Sequence, residues 1–224
     1  MTLKSVYDIP EEVRKNAEGD RYSTVFADFL WNWFGSTKAA TNRRIDLSFV
    51  SRLSPSELSL AKDLIRRNLK LRYDHILWGA STLNDTEAVP ALRRLLADER
   101  DLSRRLTIAG ELWKLSRDPV FLDCLRDAKI RNPSLFVFGH LLQVLWLDDE
   151  RALDFLVGLL DEPSVKGYAL SLLNELEYGP HPTVPSGKLP HQADYYRKNR
   201  LDPQFRAVVV SAIQKRNAES KYGW

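Results

Sequence analysis

The chain has one cysteine, Cys124, and four histidines in 224 residues, and these scarcities remove several chemistries at once. A lone cysteine excludes an internal disulfide and any multi-cysteine zinc site. It sits between Leu122 and Leu125 on an expected buried face, where a thiol keeps a high pKa and packs as a small apolar group. His75, His140, His181 and His191 have no neighbouring carboxylate pattern of the kind a metal site needs. His140 falls on an apolar stripe, where a satisfied buried imidazole is expected. No Gly-x-x-x-x-Gly-Lys-Ser/Thr stretch occurs, which excludes nucleotide hydrolysis of that type. No cofactor or metal is therefore expected. No apolar run approaches the ~20 residues that span a bilayer. The first residues, Met1-Thr2-Leu3-Lys4, lead into Asp8, Glu11 and Glu12 without an apolar signal core, so the expected location is the cytoplasm, with no membrane partner.

Charge of one sign is also lacking, with 33 basic against 30 acidic residues, but the distribution is uneven. Lys62, Arg66, Arg67, Lys70 and Arg72 crowd one region, with Asp63 as the opposing charge. Asp148, Asp149, Glu150, Asp154, Asp161 and Glu162 crowd another, against Arg151. Two readings stay open: solvated helix faces, or an electrostatic polarity that steers a partner.

What the chain does have is a repeat. Leu58, Ala61 and Leu64 recur as Val89, Leu92 and Leu95, as Leu122, Leu125 and Ala128, and as Leu153, Leu156 and Leu159, in steps of 31, 33 and 31 residues. Between them a second set, Ile76, Ala80 and Leu83, recurs as Ile108, Leu112 and Leu115, as His140, Val144 and Leu147, and as Ala169, Leu173 and Leu176. Both sets have helical spacing, so each unit reads as two amphipathic helices that need neighbours to cover their apolar stripes. The expected fold is all-α, a solenoid in a single domain over residues 1–224.

Residues 1–54 read as a helical cap, with Tyr22 to Phe34 as an apolar helix and a short helix over Asp46 to Leu53. Residues 55–178 hold four helix pairs, entered through Ser54-Pro55 as cap and first helical residue. Asn84-Asp85, Asp118-Pro119 and Asp148-Asp149 are expected helix N-caps. Residues 179–202 read as a proline-rich loop, because Pro180, Pro182, Pro185 and Pro190 interrupt any helix. Residues 203–224 read as a last helix, burying Phe205, Val208, Val209, Ala212 and Ile213, with a basic tail.

The segment Leu83-Asn84-Asp85-Thr86-Glu87-Ala88-Val89-Pro90-Ala91-Leu92-Arg93-Arg94-Leu95-Leu96-Ala97-Asp98 is similar to HEAT-like repeats, and Asp161 to Leu170 resembles the same family's turn into its second helix. The resemblance, to the PBS-lyase-type HEAT repeat proteins, covers residues about 55 to 178. It implies a right-handed superhelix whose second helices line a concave face. It also implies a binding scaffold, although some family members are bilin lyases, metal-dependent hydroxylases or alkylation-repair DNA glycosylases.

On the second helices the positions one, four and eight before the closing leucine form one flank, and it is chemically varied. The opposite flank, with Leu77, Ala109, Trp113, Leu141, Leu145 and Leu170, is apolar and expected to pack inward. Arg72, His75, Arg104, Glu111, Lys114, Gln143, Trp146, Tyr168 and Glu175 are the candidate partner-binding residues of the groove. Solvated helix positions are the competing reading. No catalytic residue is singled out. The expected function is a non-catalytic protein–protein interaction module. Its specific form would be a bacterial immunity or inhibitor protein that occludes a toxin. The alternative is a nucleic-acid-binding protein resembling the HEAT-like glycosylases, with Glu111, Trp146 and Arg104 as its site, which the near-balance of charge disfavours.

Overall fold

The computed structural model describes residues 3–17, 21–35, 47–137, 139–179 and 192–219. Among these the protein is all-α, with twelve α-helices, several short 3-10 turns and no strand. The chain divides into two compact units. The described residues of Met1–Arg100 and Thr107–Asp118 form one, and those of Asp101–Leu106 and Pro119–Ser220 the other.

In the first unit α1 (Glu11–Asn16) and α2 (Thr24–Leu30) precede α3 (Pro55–Asn68), α4 (Asp74–Thr82) and α5 (Val89–Asp98), followed by most of α6 (Leu102–Ser116). The entry to α3 is a capping box: Ser54 Oγ accepts from the Glu57 backbone, while the Glu57 carboxylate accepts from Ser54 N at 3.0 Å and from Ser23 N at 2.7 Å. Burial works against that carboxylate's charge, but the donors of Ser23 and Ser54 outweigh it and hold its pKa below the ordinary value.

The expected helix over Tyr22 to Phe34 is shorter. After α2 the backbone widens into a π-helical turn, Trp31–Gly35. Gly35 lies so close to the Trp31 ring that a Cβ there would overlap it. Phe26, Phe29, Leu30, Trp33 and Phe34 are all buried, and the Trp33 ring reaches the backbone of α4 at Gly79. In place of the expected helix over Asp46 to Leu53 there is a 3-10 turn, Leu47–Arg52.

The segment before α1 is tied down by polar contacts. Arg14 donates to the carbonyls of Leu3, Lys4, Tyr7 and Ile9, drawing one loop around a single guanidinium. The buried Asn68 side chain pairs with both backbone groups of Asp8, accepting at 2.7 Å and donating at 3.1 Å.

The second unit holds the start of α6, then α7 (Val120–Arg131), α8 (His140–Gln143), α9 (Glu150–Leu159), α10 (Lys166–Tyr178), α11 (Ala193–Asn199) and α12 (Pro203–Glu219). The second helix of the third repeat, continuous by its spacing, is broken into a 3-10 turn Pro133–Phe136, the short α8, and a 3-10 turn Val144–Leu147. Gly139 takes φ +109, which no helix contains, while Phe136 is buried against Phe155 with ring centres 5.4 Å apart.

The proline-rich stretch also differs from its reading. Residues 180–191, with His181 and His191, lie outside the described residues, but Ala193–Asn199 within the expected loop is helical. The aromatic pair Tyr195-Tyr196 explains it: Tyr195 donates to Glu177 Oε1 at 2.8 Å and Tyr196 to Oε2 at 3.1 Å, which fastens α11 to the end of α10. Burial first, and then the Glu177 charge, push both phenols above their ordinary pKa.

α12 is capped by Asp202, whose Oδ1 accepts from Gln204 N and Phe205 N, and it packs on α9 and α10. Phe205, Val209 and Ile213 are buried, but Val208, expected inside, is 53% exposed. Consecutive residues sit about 100° apart on a helix, so a stripe centred on Val209 turns Val208 outward.

Every described member of the second apolar set except Leu115 is buried, as is the whole inward flank from Leu77 to Leu170. At roughly 1.5–3 kcal/mol for each large aliphatic side chain, these stripes dominate the favourable side of folding. The repeat appears in the backbone as well. Asn84, Arg117, Asp148 and Gly179, each just past the end of a second helix, all take positive φ, and they lie 33, 31 and 31 residues apart.

Candidate functional site

The nine residues singled out from the sequence fall into two groups. Arg72, His75, Glu111 and Lys114 belong to the first unit, and Arg104, Gln143, Trp146, Tyr168 and Glu175 to the second.

In the first unit the flank is largely internal. His75 is buried, with Tyr7 Oη 3.2 Å from Nε2 and the Tyr73 ring stacked on it at 5.8 Å. Glu111 is fully buried: Lys114 Nζ donates to Oε1 at 3.0 Å, and Oε2 has no hydrogen-bond partner. Arg72 is left-handed at φ 55 and donates to the buried Glu99 at 3.1 Å. His75 and Glu111 thus lie where a macromolecular partner cannot touch them. For His75 the reason is steric: the N-terminal loop with Tyr7 packs on it, a cover that the repeat pattern alone does not show.

Much of the expected charge polarity is met by internal pairs. Arg66 meets Asp85 at 3.1 Å and also pairs with Glu87, Arg67 meets Asp63 at 2.6 Å, and Lys62 donates to the Asn84 carbonyl. In the second unit Arg206 joins Glu150 and Asp154, Arg197 joins Asp161, and Arg151 joins Asp149. Asp149 is also the N-cap of α9, as expected, whereas Asp85 makes no capping bond and pairs with Arg66; Asp118 pairs with Arg93.

The second unit keeps its flank open. On α10, Tyr168 is 54% and Tyr178 46% exposed, and Ser171 and Glu175 lie between them at spacings of three and four, so the four share one outer face. Glu175 is braced by Arg216 at 2.5 Å. Arg104 is exposed in the first turn of α6, where its backbone N–H donates to Asp101 Oδ1. Trp146 is half-buried against Phe121, with centroids 6.0 Å apart.

Gln143 has a role that spacing did not suggest. Its Oε1 lies 3.0 Å from Nδ1 of His140, and Nε2 of the same ring lies 2.6 Å from Ser103 Oγ. An amide oxygen only accepts, so Nδ1 carries the proton and Nε2 is left to accept from the serine hydroxyl. Gly139, at positive φ, starts α8 and sets His140 and Gln143 on adjacent turns, while Ser103 comes from the first turn of α6. Sequence reading passed over Ser103 because it lies 37 residues from His140 with no local signature. Cys124 is buried, its thiol pushed up by burial against the opposing pull of Arg105. Among the described residues no group of three His, Cys, Asp or Glu side chains is gathered as metal ligands would be, and no helix is long and apolar enough to cross a membrane.

The chain matches no protein-family model, no curated protein and no solved structure.

Proposed function

We propose that this chain is a protein-binding module built as a HEAT-like array of four helix pairs, and that it engages its partner through the second unit. The array is supported by the 31-to-33-residue apolar period and by the positive-φ residues that recur at Asn84, Arg117, Asp148 and Gly179. The binding reading rests on one observation: the outer face of α10 carries two exposed tyrosines, Tyr168 and Tyr178, on a helix whose other side is firmly buried. Tyrosine offers a large, stiff contact area with a hydrogen-bonding tip, and exposed tyrosines on a rigid element lose little entropy when a partner covers them. Arg104 and Trp146 are further anchor types in the same unit. Nucleic acid is the weaker reading, because Arg66, Arg67, Arg72 and Arg206 are engaged by carboxylates and Glu111 is enclosed.

The partner class to test first is a toxin whose active site is occluded, since occlusion requires binding and no chemistry. Affinity capture from nuclease-treated lysate of the native cells, followed by mass spectrometry, should recover one stoichiometric protein. Tyr168→Ala and Arg104→Glu should each weaken its binding at least about tenfold, roughly 1.4 kcal/mol, with helicity unchanged. Unchanged affinity in both variants would remove the second unit as the binding surface.

A further inference from the structure

The arrangement around His140 goes beyond binding. A serine hydroxyl 2.6 Å from Nε2 and an amide oxygen 3.0 Å from Nδ1 reproduce the order nucleophile, base, orienter. Each part is placed by a different feature of the fold. Ser103 stands on a helix of 15 residues, Gln143 lies one turn beyond His140, and the histidine is buried while the serine is half-buried. A buried imidazole whose Nδ1 faces an acceptor presents Nε2 to one hydroxyl, the placement a general base needs.

We propose that Ser103, His140 and Gln143 form an acyl-transfer site that cleaves small neutral carboxylic esters, with Ser103 and His140 as the catalytic residues and Gln143 as a positioning residue. Ser103 Oγ attacks the ester carbonyl carbon and passes its proton to His140 Nε2. The tetrahedral adduct collapses, the carbon–oxygen bond to the alcohol breaks, and His140 returns the proton to the departing alkoxide. Water, deprotonated by the same nitrogen, then attacks the acyl-serine; the acid leaves and the proton returns to Ser103. No redox partner or metal enters the balance. Ser103 is the second residue of α6, and the positive end of that helix dipole favours negative charge developing beside it. The Asp101 carboxylate, which accepts from Arg104 N, and the cations of Arg104 and Arg105 flank Ser103 with opposite charges, which suits an uncharged ester. A neutral glutamine steadies the imidazolium less than a carboxylate would, and that ion forms in both acylation and deacylation, so both steps are expected to be slow.

The test uses the full chain with a fluorophosphonate probe and with p-nitrophenyl acetate. Mass spectrometry should place a single phosphonyl adduct on Ser103, and ester cleavage should be lost with that residue. Ser103→Ala should abolish labelling, and His140→Gln, checked for native helicity, should slow it about 100-fold or more. Gln143→Glu should raise the rate and move the pH profile upward, since a carboxylate favours the charged ring, a change that a packing role would not produce. An unlabelled Ser103 after prolonged excess probe would overturn the proposal, as would equal labelling in a folded His140→Gln. Either result leaves partner capture through Tyr168 and Arg104 unaffected.

Discussion

The Tyr7 hydroxyl stands 3.2 Å from Nε2 of His75, and both side chains are buried, so a single contact joins the N-terminal loop to α4. Burial lowers the His75 pKa; the backbone of Trp33 and the charge of Asp74 pull it back up in part, and Lys4 adds to the lowering. The folded protein therefore takes up a proton at this site less readily than the unfolded chain. The stability that His75 confers is complete above the unfolded value near 6.5 and is lost as pH falls through the folded one. The urea midpoint should drop between pH 7.5 and pH 5, and the drop should be smaller in His75→Gln. An identical drop in that variant would show that another group governs the acid response.

Arg14 holds the same loop through four carbonyls, a pattern that only a planar, multi-donor cation can supply. Arg14→Lys should cost about 1–3 kcal/mol and speed amide exchange at Tyr7 and Ile9. Unaltered exchange at both amides would mean that Asn68 and Tyr7 suffice to hold the loop.

In the second unit Arg206, with 13% of its side chain exposed, meets Glu150 at 2.6 Å, Asp154 at 2.9 Å and the Arg200 carbonyl at 2.7 Å. Its partners are well exposed, so solvent screening keeps the electrostatic gain small, and about 1 kcal/mol is the expected loss in Arg206→Met. The loss should shrink at 1 M salt. A loss that salt does not change would assign the role of Arg206 to packing and to the Arg200 carbonyl.

Two glycines should respond oppositely to alanine. A Cβ on Gly79 would lie 2.6 Å from Ile65 Cδ1 and 2.8 Å from the Trp33 ring, so Gly79→Ala should destabilise by about 1–3 kcal/mol. Gly167, near the start of α10, has nothing within 4 Å, so Gly167→Ala should stabilise by about 0.5 kcal/mol. Thermal midpoints that move in the same direction for both would contradict this packing.

Most helices are legible in the sequence because apolar spacing is a local property. The stripe from Leu58 to Leu176 places α3 to α7, α9 and α10, and Ser54-Pro55 marks the start of α3 with its capping box. The departures come where local pattern meets a competing demand. Gly139 interrupts a stripe that is unbroken on paper, Gly35 permits a widened turn, and Tyr195 and Tyr196 make a helix of a stretch read as loop because Glu177 is there to receive them. Of the candidate groove residues, the exposed Tyr168 and Arg104 lie where a partner can reach them, and the buried His75 and Glu111 do not.

By itself the sequence determined that the described residues are all-α and that Cys124 is buried, because helical periodicity and burial of apolar side chains need information only three or four residues away. Only the tertiary structure decided which charges cancel, which flank is covered, and that Ser103, His140 and Gln143 meet. Those outcomes depend on side chains tens of residues apart arriving within about 3 Å of each other, a distance that hydrogen bonding enforces and that no spacing along the chain encodes.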